Sequence, residues 1–117
     1  MLIEMLKSKI HLATITDTKL YYEGSIVIDE ALLKAANIRV GEKVQIVNFN
    51  NGERFETYTI PGKKGSGEVG LRGPAAKLGK VGQKIAIFSF ASVTVKEARR
   101  LHPKLVYVDG KNRILKK

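Results

Sequence analysis

Arg54 and Tyr58 stand four positions apart in the run RFETYTI. An arginine presents a rigid fork of donors that matches a carboxylate, and a phenol can donate a proton while staying protonated near neutral pH. Lys9 is a second candidate cation for an acid. Each residue also has a plain reading: Arg54 and Lys9 as solvated surface charges, Tyr58 as a half-buried strand tyrosine. Thr57, between them in sequence, fits a strand as a β-branched residue. Gly73-Pro74-Ala75-Ala76 offers backbone N–H groups at a helix start, a natural place for an anion, or a simple turn with proline opening a helix. Gly24-Ser25, in YYEGSIVID, reads on its own as a tight turn, because glycine tolerates unusual angles and serine hydrogen-bonds locally.

Other chemistry is excluded by what the chain lacks. With no cysteine among 117 residues there is no thiol nucleophile, disulfide or thiolate metal site. His11 and His102 lie far apart, so no metal-ligand cluster is visible. The start, MLIEMLKSKI, carries Glu4 in its apolar stretch and makes a poor signal peptide. No apolar run approaches a membrane span, and the expected location is the cytoplasm.

The elements that must position these residues are short strands separated by turns. Strands are expected at Lys9–Thr16, Ser25–Ile28, Lys43–Phe49, Arg54–Ile60, Lys84–Phe90 and Leu105–Val108. Asp29 fits a helix N-cap before the helix-forming run EALLKAA. Asn50-Asn51-Gly52 marks a hairpin. Residues 61–82 are glycine-rich and read as loops around a short strand and one helical turn. Val95–Leu101 reads as a helix stopped near Pro103, and Gly110–Lys117 as a polar tail. The sum is one domain, residues 1–117, of six or seven strands with two or three short helices: a small, mainly β barrel or sandwich.

Net charge is +10, all of it from residues 25–117, which hold 18 basic and 8 acidic residues. Such a surface attracts nucleic acid, anionic lipid or small anionic substrates.

From Leu6 to Asp29 the chain closely resembles the start of the pyruvoyl-dependent aspartate 1-decarboxylases. The matching pieces are Lys9-Ile10-His11, Ala13-Thr14-Ile15-Thr16, Tyr22-Glu23-Gly24-Ser25 and Ile28-Asp29. Asn51-Gly52-Glu53-Arg54-Phe55 with Thr57-Tyr58, and Gly73-Pro74-Ala75-Ala76 with Val81-Gly82, follow in family order. No piece is specific alone, but the ordered set is.

The resemblance implies a double-psi β-barrel and a homotetramer with active sites at subunit boundaries. It implies a lyase that decarboxylates L-aspartate to β-alanine, for pantothenate and coenzyme A synthesis, through a Schiff base with a self-generated pyruvoyl group. Protein side chains offer no good sink for the electrons left by CO2, so a cofactor normally supplies one, and the resemblance implies that here it is the pyruvoyl ketone. Ser25 is the implied source. Its hydroxyl attacks the Gly24 carbonyl, and the zymogen becomes a β chain of residues 1–24 and an α chain of residues 25–117. The step needs a distorted backbone at Gly24, a donor for the oxyanion and a hydroxyl in reach.

By the same resemblance Thr57 is the processing donor and Tyr58 the proton donor to Cα. Lys9, Arg54, Thr57, Arg72, Gly73, Pro74 and Ala75 contact substrate. Tyr22 and His11 match positions near the site, where strand packing explains them equally well. Arg54 and Tyr58 share a face of a regular strand but sit roughly 13 Å apart, so the strand bends, one contact is indirect, or they serve different subunits' sites. The chain departs from the family at Arg72, often Asn, and at Pro74, often Ala. A long cation at position 72 would add a substrate contact or impair cleavage.

Three alternatives compete. A basic β-barrel could bind nucleic acid through residues 63–84, where six cations face only Glu68, but no aromatics interleave there for base stacking. The chain could be an unprocessed or slow paralogue, or could act on glutamate. The sequence names no processing helper protein.

Overall fold

The computed structural model describes residues 1–116. Eight strands are present among them: β1 Leu2–Thr14, β2 Asp17–Lys19, β3 Ser25–Asp29, β4 Lys43–Asn48, β5 Arg54–Gly62, β6 Val69–Arg72, β7 Lys84–Thr94 and β8 Lys104–Tyr107. Two short α-helices, α1 Glu30–Ala35 and α2 Val95–Ala98, and a 3-10 helix at Gly73–Lys77 complete the chain. The mainly β expectation is met, with more strand than the sequence announced.

The strands form one sheet in the order β2-β6-β3-β5-β4-β7-β1-β8. β1 lies near one end of this order and β2 at the other, although only Ile15 and Thr16 separate them in the chain. Those two residues join the ends. Ile15 exchanges backbone hydrogen bonds with Gln83 and Gly82 just before β7, and Thr16 N–H donates to the Val69 carbonyl on β6. Three parallel pairs, β1–β8, β2–β6 and β3–β5, are set among antiparallel ones. This closure is consistent with a double-psi β-barrel.

Alternation along the strands sorts the two faces of the wall. Ile10, Ile87, Ile46 and Phe55 are successive cross-strand partners on β1, β7, β4 and β5, and the three isoleucines are fully buried. Burying each contributes about 1.5–3 kcal/mol. One residue along, Lys9, Phe88, Gln45 and Glu56 form the matching outer row. Ile26, Ile28, Val69 and Leu71 carry the core onto β3 and β6.

β1 keeps its inward face by a bulge. Between the pairs Ile10↔Ile87 and Ala13↔Ile85 it advances three residues while β7 advances two. The extra residue is absorbed at Leu12, which has φ 63.

Where boundaries differ from the sequence reading, pairing is the reason. β1 begins at Leu2 rather than Lys9, because its first half pairs with Ala91–Thr94 of a lengthened β7. Leu, Met, Glu and Lys are helix formers, so only the partner strand makes MLIEMLK extended. α2 is shorter than the Val95–Leu101 expected and starts from a capping box, Thr94 with Glu97. The polar tail, whose last residue Lys117 lies outside the described residues, is docked at Asn112, which is buried, its side chain accepting from Thr14 N–H at 2.7 Å and donating to the Thr14 and Gly67 carbonyls at 2.8 and 2.7 Å.

Candidate active site

Ser25 is the first residue of β3 and is 1% exposed. The chain arrives at it through bends at Leu20–Tyr22 and Gly24, with Tyr21 and Tyr22 facing solvent. The Ser25 hydroxyl donates to the Glu23 carbonyl at 3.4 Å. That bond is long, so it holds the hydroxyl weakly, one peptide short of the Gly24 carbonyl.

The floor under this segment is the turn from β6 into the 3-10 helix. Arg72 is the antiparallel partner of Ser25. Gly73 has φ +67, and a Cβ there would meet the Gly24 α-carbon and the Tyr22 carbonyl oxygen at 2.8 Å. Glycine takes this angle at little cost, and only glycine allows this approach. The Pro74 ring follows, its Cδ 3.8 Å from where a Cβ on Gly24 would sit. Ala75 is buried beneath it. A shallow, open depression of about 350 Å³ lies beside Tyr22 and Glu23.

On the other side of β3, the parallel ladder with β5 begins at Ile26↔Thr59. One further step would bring Ser25 alongside Tyr58. Tyr58 is 41% exposed and Thr57 half-buried. The structure therefore gathers Tyr22, Gly24, Ser25, Arg72, Gly73 and Pro74, and sets Thr57 and Tyr58 at the end of the adjoining ladder.

Lys9 and Arg54 are elsewhere. Lys9 lies on β1 with its ammonium 5.4 Å from the Phe88 ring centre. Arg54 is exposed and donates to Gln45 Oε1 at 2.7 Å. Lys9 belongs to the outer row that crosses β1, β7, β4 and β5, and Arg54 shares the outer face of β5 two residues from Glu56 of that row; β4, β5 and β7 separate β1 from β3 in the sheet. β5 pairs with β4 from Val47↔Arg54 to Lys43↔Tyr58 without a register shift, so no bulge brings Arg54 back toward Tyr58. His11 stands edge-on to Phe49 and Tyr107, each at 5.7 Å between ring centres, as a packed strand histidine does.

Arg72 is where geometry departs furthest from the picture of a free cation. It is 5% exposed. Its Nη1 lies 2.8 Å from Asp17 Oδ2, too misaligned for a hydrogen bond, and Nη2 donates to Glu68 Oε2 at 3.2 Å. Its guanidinium carbon is 5.7 Å from the Tyr22 ring centre. Asp17 and Glu68 are the residues sequence reasoning missed. The only available signal was a basic residue in a buried run, VGLR, which calls for acidic partners.

The basic stretch at 63–84 is also not a continuous strip. Arg72 is buried against carboxylates, and Lys84 donates to the Thr14 hydroxyl. No group of metal-ligating side chains occurs among the described residues, and no helix there is long and apolar enough to cross a membrane.

The family model described as aspartate decarboxylase matches residues 1–115. The aspartate 1-decarboxylase of Caldicellulosiruptor saccharolyticus is 55% identical over 116 residues, covering 99% of this chain and 91% of the relative. That of Carboxydothermus hydrogenoformans is 53% identical over 116 residues, with 99% and 91% covered. That of Cytophaga hutchinsonii is 51% identical over 113 residues, with 97% and 98% covered.

Proposed function

The chain belongs to the aspartate decarboxylase family, and from that premise we infer that it converts L-aspartate to β-alanine and CO2, for pantothenate synthesis, with a pyruvoyl group made from its own Ser25. The observation that carries the assignment of Ser25 is the contact between Gly73 and Gly24. A buried serine follows a glycine whose backbone is pressed against a second glycine at positive φ.

Self-cleavage runs through this chain's own atoms. The Ser25 hydroxyl leaves the Glu23 carbonyl and attacks the Gly24 carbonyl carbon. An ester replaces the peptide bond. Elimination releases Gly24 as a carboxylate and leaves a dehydroalanine, which takes up water and loses ammonia to become the ketone. Residues 1–24 and 25–117 are the products. Thr57, half-buried at the end of the ladder, is the donor to the oxyanion.

The residues present fit a pyruvoyl group, since it is built from the atoms of Ser25 and needs only the place Ser25 holds at the start of β3, two residues on from the open depression at Tyr22 and Glu23. When formed, it supplies the electron sink that side chains lack. Gly73, Pro74 and Ala75 line the substrate on one side. Tyr58 returns the proton to Cα. Arg54 and Lys9 bind carboxylate, with the stronger clamp on the carboxylate that is retained, because holding the departing one would favour the ground state.

A regular β5 keeps Arg54 and Tyr58 roughly 13 Å apart. One aspartate cannot touch both from one chain. This supports sites shared between subunits of a homotetramer, with the outer row of one chain facing the Ser25 region of its neighbour. The protein acts in the cytoplasm without nucleic acid or membrane.

Intact mass measurement of the purified protein tests the reading. Two chains are expected, separated after residue 24, with the larger one lighter than its unmodified form because serine nitrogen has gone. A single 117-residue polypeptide that ignores carbonyl-trapping reagents would overturn it.

A further inference from the structure

Among the described lysines and arginines, Arg72 alone is buried. Its partners lie on both sides of the Gly24–Ser25 bond. Asp17 and Tyr22 precede the bond, while Glu68 and β6 follow it. Gly70 makes room for this: a Cβ there would come 2.6 Å from Arg72 Nη1 and 2.5 Å from Asp17 Oδ1. The backbone repeats the arrangement, because β6 pairs with β2 through Asp17↔Gly70 and Lys19↔Arg72, and with β3 through Ser25↔Arg72. Lys19 adds a second cation 6.0 Å from the Tyr22 ring centre. The five residues from Leu20 to Gly24 carry no strand pairing, and Arg72 reaches them at Tyr22 from the β6 side.

We propose that Arg72 is a positioning residue for self-cleavage: its guanidinium fastens Asp17 and Tyr22, upstream of the Gly24–Ser25 bond, to Glu68 and β6, downstream of it, and so holds the bond against Gly73. This rests on the reading of Ser25 given above. Two carboxylates already meet the guanidinium, so its charge is spent within the fold and is not offered to aspartate. The same contacts cross from the small product to the large one after cleavage, keeping the tail of the small chain beside the site.

Full-length protein carrying Arg72→Ala, Asp17→Asn or both is followed by intact mass from the first folded precursor. Each single variant is expected to slow conversion about tenfold or more, as a small misplacement of reacting atoms does. The double variant should be no slower than the slower single one, because Asp17 acts through Arg72 and loss of either side chain removes their shared contact. Asp17 is partly exposed, so Asp17→Asn carries the test where Arg72→Ala fails to fold. Hydrogen exchange in a Ser25→Ala background reads the clamp without cleavage. Adding Asp17→Asn there should open residues 17–24 while β1 stays protected. Wild-type conversion rates, additive losses, or unchanged exchange over 17–24 would each overturn the proposal. A wild-type chain that never cleaves overturns the reading of Ser25 instead, and the exchange result still decides whether the clamp exists.

Discussion

A single methyl group on Gly73 would stand 2.8 Å from the α-carbon of Gly24 and 2.9 Å from its nitrogen. Real Cβ atoms do not approach backbone so closely. The two glycines therefore hold each other in place, one in the turn before the 3-10 helix and the other at the bond to be cut.

Gly73→Ala should impair self-cleavage more than folding. The positive φ alone costs roughly 1–2 kcal/mol for an L-residue, and the clash must push Gly24 away from the Ser25 hydroxyl. The expected result is an uncleaved chain with a circular-dichroism spectrum like wild type. Normal conversion in this variant would remove Gly73 from the processing site.

Arg54→Ala should abolish turnover and leave cleavage largely intact, since Arg54 lies away from Ser25 at the far end of β5 from Tyr58. Mass measurement and β-alanine production read the two separately. Co-expression with Tyr58→Phe adds a geometric check. If the two residues reach one substrate from different subunits, mixed oligomers regain sites that hold both wild-type side chains. No recovery would confine each site to one chain.

Asn112→Ala should destabilise the fold by about 2–4 kcal/mol, because it strands buried backbone groups of Thr14 and Gly67. Asn112 also sits at φ 60, which Asn tolerates better than Ala. Denaturant unfolding of the Ser25→Ala chain measures this without interference from cleavage.

Glu42 gives a pH dependence. Partial burial raises its pKa, but the Arg39 N–H, the Ser89 hydroxyl and the Lys7 ammonium outweigh burial and hold it below its ordinary 4.5. A lowered folded-state pKa means the contribution is present above the ordinary value and lost as pH falls through the lowered one. Glu42→Gln should therefore cost stability at neutral pH and flatten the fall in stability below pH 4.5. An unchanged acid limb would assign that fall to other carboxylates.

What could be read from the sequence followed local rules. Asp29 was legible as an N-cap because capping is a short-range pattern, and its side chain accepts from Ala31 N–H at 2.8 Å. Its further bonds to the Gly65 and Gly67 N–H groups were not, since loop docking leaves no local trace. The strand at Ser25 was announced by SIVI. β2 was not, since DTK has no strand signal and is extended only because β6 pairs with it.

The site divides the same way. Gly24, Ser25 and the Gly73 turn were legible as an ordered set, and the fold brings them together. For Arg72 the sequence leaves two options, an added substrate contact or impaired cleavage. Whether a guanidinium looks outward or inward depends on acids at positions 17 and 68, from separate segments, and only the closed sheet brings those together. The separation of Arg54 from Tyr58 was legible from strand geometry, and an unbroken β5 leaves the bent-strand option without support.

β1 lies inside the sheet, between β7 and β8, and belongs wholly to the first 24 residues. A polypeptide begun at position 25 would be missing an interior stave and should not fold unaided. Supplied together, the two fragments should reassemble without any covalent link, so that a chemically made large piece bearing its ketone could be tested against variant small pieces one at a time.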